Sequence, residues 1–184
     1  MSHLKDNRRH NIITASNAWA AIYERQKLWR QMTLREPPFE GNEMTQWGID
    51  NEPLALSAFE KEMDEICLPG NKLMVHDTLP FGASPDAYLD NGTVVELKCP
   101  YSQEYYDVMP PRYYFQIQMQ MLVCNQNMAW FGVWTPNGIR IQNITYNKKW
   151  EDWYIPLALE FMQYVTDDVE PKRWTRKPIF NIEE

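Results

Sequence analysis

The chain has 184 residues, 44% of them hydrophobic, with aromatics spread along its whole length; this fits one domain with a sizeable core and excludes a disordered segment. Eighteen Lys and Arg against 25 Asp and Glu give a net charge of −7, which speaks against broad, nonspecific nucleic-acid binding but leaves a localised basic groove open. The apolar runs are too short to span a bilayer, so no membrane association is expected, and the polar start MSHLKDNRRH shows no secretory signal.

The stretch ITASNAWAAIYERQKLWRQM predicts a helix, with Ser16 as its N-cap and Trp19, Ile22, Tyr23, Trp29 and Met32 near helical spacing. REPPFEGN reads as a loop, since its prolines and glycine block regular structure. EMTQWGIDNEPLALSAFEKEM predicts a second helical region with a kink or restart near Glu52, because Pro53 removes a backbone donor. LPGN closes that region.

LMVHDTL, FGASPDAYL and TVVELKC predict three short strands. PPRYYFQIQMQMLVCNQ predicts a helix opened by Pro110 and Pro111. Gln116, Gln118 and Gln120 stand out on its largely apolar surface, where the plain reading is a wet face. MAWFGVWT and IRIQNITY form a hairpin around Pro136-Asn137-Gly138. KKWEDWYIPLALEFMQYV predicts a last helix, bent at Pro156, and from Asp167 an extended, proline-punctuated tail follows. The order predicts a single α/β domain over residues 1–184, a central mixed sheet flanked by helices with its core at about 9–166 and a tail at 167–184.

Cys67, Cys99 and Cys124 are scattered and odd in number, the pattern of reduced thiols in a cytoplasmic protein. His3, His10 and His76 have no metal-ligand spacing and no CxxC occurs, so a zinc or iron–sulfur site is not expected. Positive charge gathers at Lys5-Arg8-Arg9, Lys148-Lys149 and Lys172-Arg173-Arg176-Lys177, acid at Glu60 to Glu65.

The segment SPDAYLDNGTVVELKCP holds the most specific arrangement. Side chains alternate along a strand, so Glu96 and Lys98 share one face while Val95, Leu97 and Cys99 take the other. A two-residue Asn91-Gly92 turn would set Asp86 opposite Leu97. A three-residue loop, Asp90-Asn91-Gly92 with a left-handed glycine, sets Asp86 opposite Glu96 at roughly 5 Å between Cβ atoms. Two carboxylates that close repel unless a cation lies between them, and hard oxygen ligands favour Mg²⁺ or Mn²⁺. An ion bridging Asp86 and Glu96 can activate a water and stabilise charge on a phosphoryl group. Lys98 can orient or deprotonate that water, or neutralise developing charge. A lone ExK in a strand is ordinarily a surface ion pair; the proline-aspartate ahead of it and the apolar setting argue against that here.

Pro85-Asp86 and Glu96-Leu97-Lys98 resemble the PD-(D/E)xK nuclease superfamily, whose core is that of the restriction endonucleases. From about Arg9 to Val165 the chain is similar to the phage lambda exonuclease and YqaJ-type viral recombinase family. Ile13 to Ser16, Gln46-Trp47-Gly48 with Glu52, Ser84-Pro85-Asp86, Glu96 to Pro100, and Tyr113 with Gln116-Ile117-Gln118 follow the family's motifs in its order. The resemblance implies that Asp86, Glu96 and the Leu97 carbonyl hold a metal, with Glu52 serving a second ion. It implies Lys98 as the catalytic lysine and Gln116 as the residue that positions the nucleophile or the lysine, with Tyr113 a DNA contact or a packing residue. Arg9, Ser16 and Ser84 fall where the family holds a 5′-terminal phosphate, a role that suits hydroxyls and a guanidinium at a helix start.

The implied function is a Mg²⁺-dependent 5′→3′ exonuclease on double-stranded DNA ends, which leaves a 3′ strand for a single-strand annealing protein. The implied setting is a homotrimeric ring in the cytoplasm of a bacterial host, as a phage or prophage product. An endonuclease or nickase of the same fold and a catalytically silent DNA-binding protein are the alternatives. Glu104 stands near the place where the lambda exonuclease carries an arginine that engages the duplex, a departure that bears on strand separation more than on cleavage.

Overall fold

The computed structural model describes residues 11–37 and 39–182. It is a mixed α/β fold with two sheets and helices on both sides. Strand β1 (Ile13–Thr14) is followed by a 3-10 turn at Ala15–Asn17 and helices α1 (Ala20–Tyr23) and α2 (Arg25–Met32). The single helix expected from Ile13 is therefore a strand, a turn and two helices. Its opening residues extend because Ile13 and Thr14 pair in parallel with Phe81 and Gly82. Ser16 lies inside the 3-10 turn and caps no helix; its hydroxyl meets that of Thr14 at 3.2 Å.

Helix α3 (Glu43–Met63) starts at Asn42, whose side chain accepts the Thr45 N–H, and ends at Asp64 in the left-handed conformation, φ 54°. Of the kink or restart expected near Glu52, the restart does not occur: α3 runs through Pro53 unbroken, and α5 (Lys148–Thr166) runs through Pro156. Both prolines lie on exposed faces, where the carbonyl each leaves unpaired can be hydrated. The segment expected to close the second helix instead holds β2 (Leu68–Pro69), after which come β3 (Met74–Val75), β4 (Phe81–Ala83), β5 (Ala87–Tyr88) and β6 (Val94–Lys98). Helix α4 (Pro111–Cys124) and the hairpin β7 (Met128–Thr135) and β8 (Gly138–Thr145) precede α5.

The stretch expected as one strand at FGASPDAYL is two, because Ser84-Pro85-Asp86 carries the chain from one sheet to the other. Strand β4 is the centre of β1-β4-β3, whereas β5 belongs to β2-β5-β6-β7-β8. In the larger sheet only β6 and β7 are parallel, and α4 is the crossover between them.

Alternation along β6 divides the core. Val95 and Leu97 pack with Ala55 and Phe59 of α3, and Val94 packs with Ile117 and Met121 of α4. Burying a side chain such as Phe59, fully enclosed here, contributes about 1.5–3 kcal/mol. The other face of α4 joins α1, α2 and α5, where Phe115, Trp150, Tyr154 and Phe161 are buried and the Trp150 and Tyr154 rings stack at 4.5 Å. The described part of the tail, residues 167–182, has no regular structure but is anchored: Trp174 Nε1 donates to the Ile22 carbonyl at 2.7 Å, and the Phe180 ring lies 5.4 Å from that of Trp153. Arg25, 5% exposed, is held between the rings of Trp174 and Tyr164 and pairs with Glu160 at 3.0 Å.

Candidate active site

The β5–β6 hairpin has the register expected from its loop. Ala87 pairs with Val95 and Tyr88 with Val94, Leu89 N–H donates to the Thr93 carbonyl at 3.0 Å, and Gly92 takes φ 84°. Asn91 fixes the loop by accepting the Thr93 N–H at 2.9 Å. That register carries Asp86 opposite Glu96. Pro85 ends the pairing one residue early, so Asp86 sits just before β5, and its Oδ2 accepts the Leu97 N–H at 2.7 Å.

Glu96 and Lys98 face α4, as alternation requires. Glu96 is 1% exposed and its carboxylate is bonded at both ends. Oε1 accepts from Gln116 Nε2 at 2.5 Å and from Lys98 Nζ. Oε2 accepts from Gln120 Nε2 at 2.5 Å. The Lys98 ammonium also lies over the Tyr113 ring, 5.1 Å from its centroid, and the Arg112 guanidinium lies at the same 5.1 Å.

A cleft of about 880 Å³ opens above this cluster, lined by Ser16, Glu52, Asp86, Leu97, Lys98, Tyr113 and Gln116. Arg112, Met44, Ile49 and Tyr101 are among its other lining residues. Asn71 ties two walls together: its N–H donates to the Pro85 carbonyl at 2.7 Å, and its Nδ2 to Glu52 Oε1 at 3.2 Å.

Electrostatics follow from the crowding. Burial raises the Asp86 pKa well above the ordinary value, and the nearby Glu96 charge raises it further; Lys98 and the Leu97 N–H only partly offset this. Burial by itself would lower the Lys98 pKa, but Glu96 and Asp86 outweigh it and raise the pKa, so the lysine is held as an ammonium. Cys99 is pushed up to about 11 by burial and by the charges of Asp86 and Glu52, which leaves an unreactive thiol.

The structure thus brings Glu52, Asp86, Leu97, Lys98, Gln116, Tyr113 and Ser16 to one cleft, with Glu96 directly beneath it. Ser84 follows β4 and is not among the lining residues. Arg9 lies outside the described residues. Among the described residues, no three His, Cys, Asp or Glu side chains gather as a metal-binding set. The alternative of a plain wet face for the α4 glutamines does not hold for Gln118 and Gln120, which are fully buried. Gln118 ties α4 to the β8–α5 junction, its Nε2 donating to the Thr145 carbonyl and its Oε1 accepting the Asn147 N–H. Gln120 stood out in the sequence only as part of that row and was given no role at the site, although its spacing of one helical turn from Gln116 places both on the face that meets Glu96. Arg112 was also passed over, and it offered no signal beyond its position before Tyr113.

The family model for the YqaJ-like viral recombinase domain matches residues 5–127. No curated protein matches the chain. Among solved structures the fold is similar to the alkaline exonuclease LHK-Exo of Laribacter hongkongensis, at 22% identity over 88% of this chain and 91% of that one, TM-score 0.75. The same protein in complex with dAMP matches at 21% identity over 89% and 92%, TM-score 0.77. A phage-related exonuclease of Haemophilus somnus 129PT matches at 15% identity over 85% and 94%, TM-score 0.70.

Proposed function

Because this chain belongs to the YqaJ-like viral recombinase domain family, we propose that it is a divalent-metal-dependent 5′→3′ exonuclease acting on double-stranded DNA ends. The observation that carries this reading is the acid pair with its lysine: Asp86 and Lys98 at the cleft wall, and Glu96 bonded to Lys98 and Gln116 beneath them. A protein that only bound DNA would gain nothing from buried acids beside phosphate.

The donor chemistry fits a hard divalent ion. Two carboxylates are held together in a buried place, at a cost visible in the raised Asp86 pKa. Mg²⁺ is commonly held by one or two carboxylates with retained waters, so a third acidic side chain is not required. Asp86, Glu96 and the Leu97 carbonyl would hold it, with Glu52, which also lines the cleft, available to a second ion. Bound there, an ion of this kind would supply a water of lowered pKa and a charge to stabilise the phosphoryl group. Lys98, kept protonated, offsets charge that develops on the phosphate and can protonate the leaving oxygen. Gln116 fixes Glu96 and Lys98 relative to each other through the shared Oε1. Ser16 offers a hydroxyl to a phosphate at the cleft wall.

The product of this reaction is a 3′ single strand, the substrate of an annealing protein, which is the partner the reading calls for. We take the assembly to be a ring of three copies, which would keep DNA enclosed despite the net charge of −7. Digestion of 5′-phosphorylated linear duplex against covalently closed circles, with and without Mg²⁺, tests the proposal. Mg²⁺-dependent loss of the linear substrate from its 5′ ends, with circles intact, is expected. Cleavage of circles overturns the exonuclease reading in favour of an endonuclease, and no cleavage of either overturns the enzyme.

A further inference from the structure

Gln120 is 0% exposed, between Met119 and Met121, which are equally buried. Its Nε2 donates to Glu96 Oε2, while its own Oε1 is buried without a hydrogen-bond partner among the described residues. An unpaired buried amide oxygen is destabilising. A methionine, used on either side, has similar volume and no such oxygen. Turning the amide over gives no relief, since it would set oxygen against carboxylate oxygen. The position therefore tolerates an unfavourable group in order to keep one N–H aimed at Glu96.

The two ends of the Glu96 carboxylate differ accordingly. Oε1 is bonded to Lys98 and Gln116, both of which line the cleft. Oε2 is bonded to Gln120, which does not line it. We infer that Gln120 is a positioning residue that anchors Oε2 on the buried side, so that Glu96 offers a single oxygen, Oε1, toward the cleft. Without that anchor the carboxylate can rotate and present both oxygens, or neither, to an ion. The inference rests on the nuclease reading, because it concerns how Glu96 serves that site.

The test uses the full chain and the variants Gln120→Met, which removes the donor, and Gln120→His, which keeps a ring N–H donor. Mn²⁺ binding by calorimetry, kcat and KM on 5′-phosphorylated linear duplex, and the thermal midpoint are measured for each. Loss of such an outer hydrogen bond to a ligand typically weakens metal binding or activity by about 10- to 100-fold. That loss is expected for Gln120→Met in both Mn²⁺ affinity and kcat, with KM for DNA ends unchanged and recovery in part by Gln120→His. Should Gln120→Met not fold, Gln120→Asn, one methylene too short to reach Oε2, carries the same expectation. A folded variant with wild-type Mn²⁺ affinity and kcat overturns the inference, as does a loss that tracks only the unfolded fraction. A wild type that binds Mn²⁺ but cuts no DNA overturns the nuclease reading, while the Mn²⁺ comparison still decides the role of Gln120. A wild type that binds no Mn²⁺ overturns both.

Discussion

Gly70 lies against Pro85 so closely that a Cβ at position 70 would stand 2.2 Å from the Pro85 carbonyl oxygen and 2.6 Å from the Asp86 carbonyl carbon. These are backbone atoms, which cannot swing aside as a side chain can. Gly70→Ala must therefore displace the short link that carries Asp86 to the cleft. The expected outcome is a loss of about 1–3 kcal/mol of stability, the usual range for overpacking, and at least a tenfold fall in kcat. Thermal melts and cleavage rates check it; an unchanged kcat means that the placement of Asp86 is not critical.

Lys98→Ala should lower kcat by about 10²–10⁴-fold, the range for losing a group that transfers a proton in the transition state. Binding to linear duplex, measured by fluorescence anisotropy in Ca²⁺, should change little, since Arg112 and Ser16 still line the cleft. Undiminished cleavage would remove Lys98 from the chemistry.

Divalent ions should stabilise the protein through Asp86. A ligand at 100 times its Kd raises stability by about 2.7 kcal/mol, so Mn²⁺ should raise the thermal midpoint and EDTA should reverse the rise. Asp86→Asn should show no shift with Mn²⁺ and no cleavage. A shift that persists in Asp86→Asn places the ion elsewhere.

Glu151 gives a pH dependence away from the cleft. Partial burial pushes its pKa up, but Lys148 and the Tyr146 hydroxyl, which donates at 2.6 Å, outweigh burial and bring it below the ordinary 4.5. A depressed carboxylate stabilises the fold above its unfolded pKa and loses that contribution as pH falls through the folded pKa. Glu151→Gln should therefore melt below wild type at pH 7, with the gap closing as pH drops below 4.5. A constant gap across that range would count against an electrostatic origin.

Local chemistry decided what could be read from the sequence. The β5–β6 register was legible because Asn91-Gly92 admits few turn geometries, and Gly92 adopts the left-handed φ the loop needs. The extended start at Ile13 and Thr14 was not, because its cause is pairing with Phe81 and Gly82, far along the chain and invisible to periodicity. That Pro53 forces no restart was not legible for a related reason: its tolerance inside α3 depends on which side of the helix meets solvent. The carboxylate pair followed from counting residues across a hairpin, whereas Gln120 became meaningful only once α4 was laid over β6. A polar side chain on an apolar helix gives no sign of whether water or a buried partner satisfies it.

The anchored tail bears on how the chain folds as it is synthesised. Ile22 and the carbonyl it offers emerge from the ribosome long before Trp174, its donor, 152 positions later. Tyr154 likewise reaches back 136 positions to the Ala18 carbonyl. The first helices must therefore wait, incompletely covered, until the chain beyond α5 has been made. Contacts of such long sequence separation slow folding, and apolar surface left open in the interval favours aggregation. Nascent chains stalled before Trp174 should depend on chaperones more than those released whole.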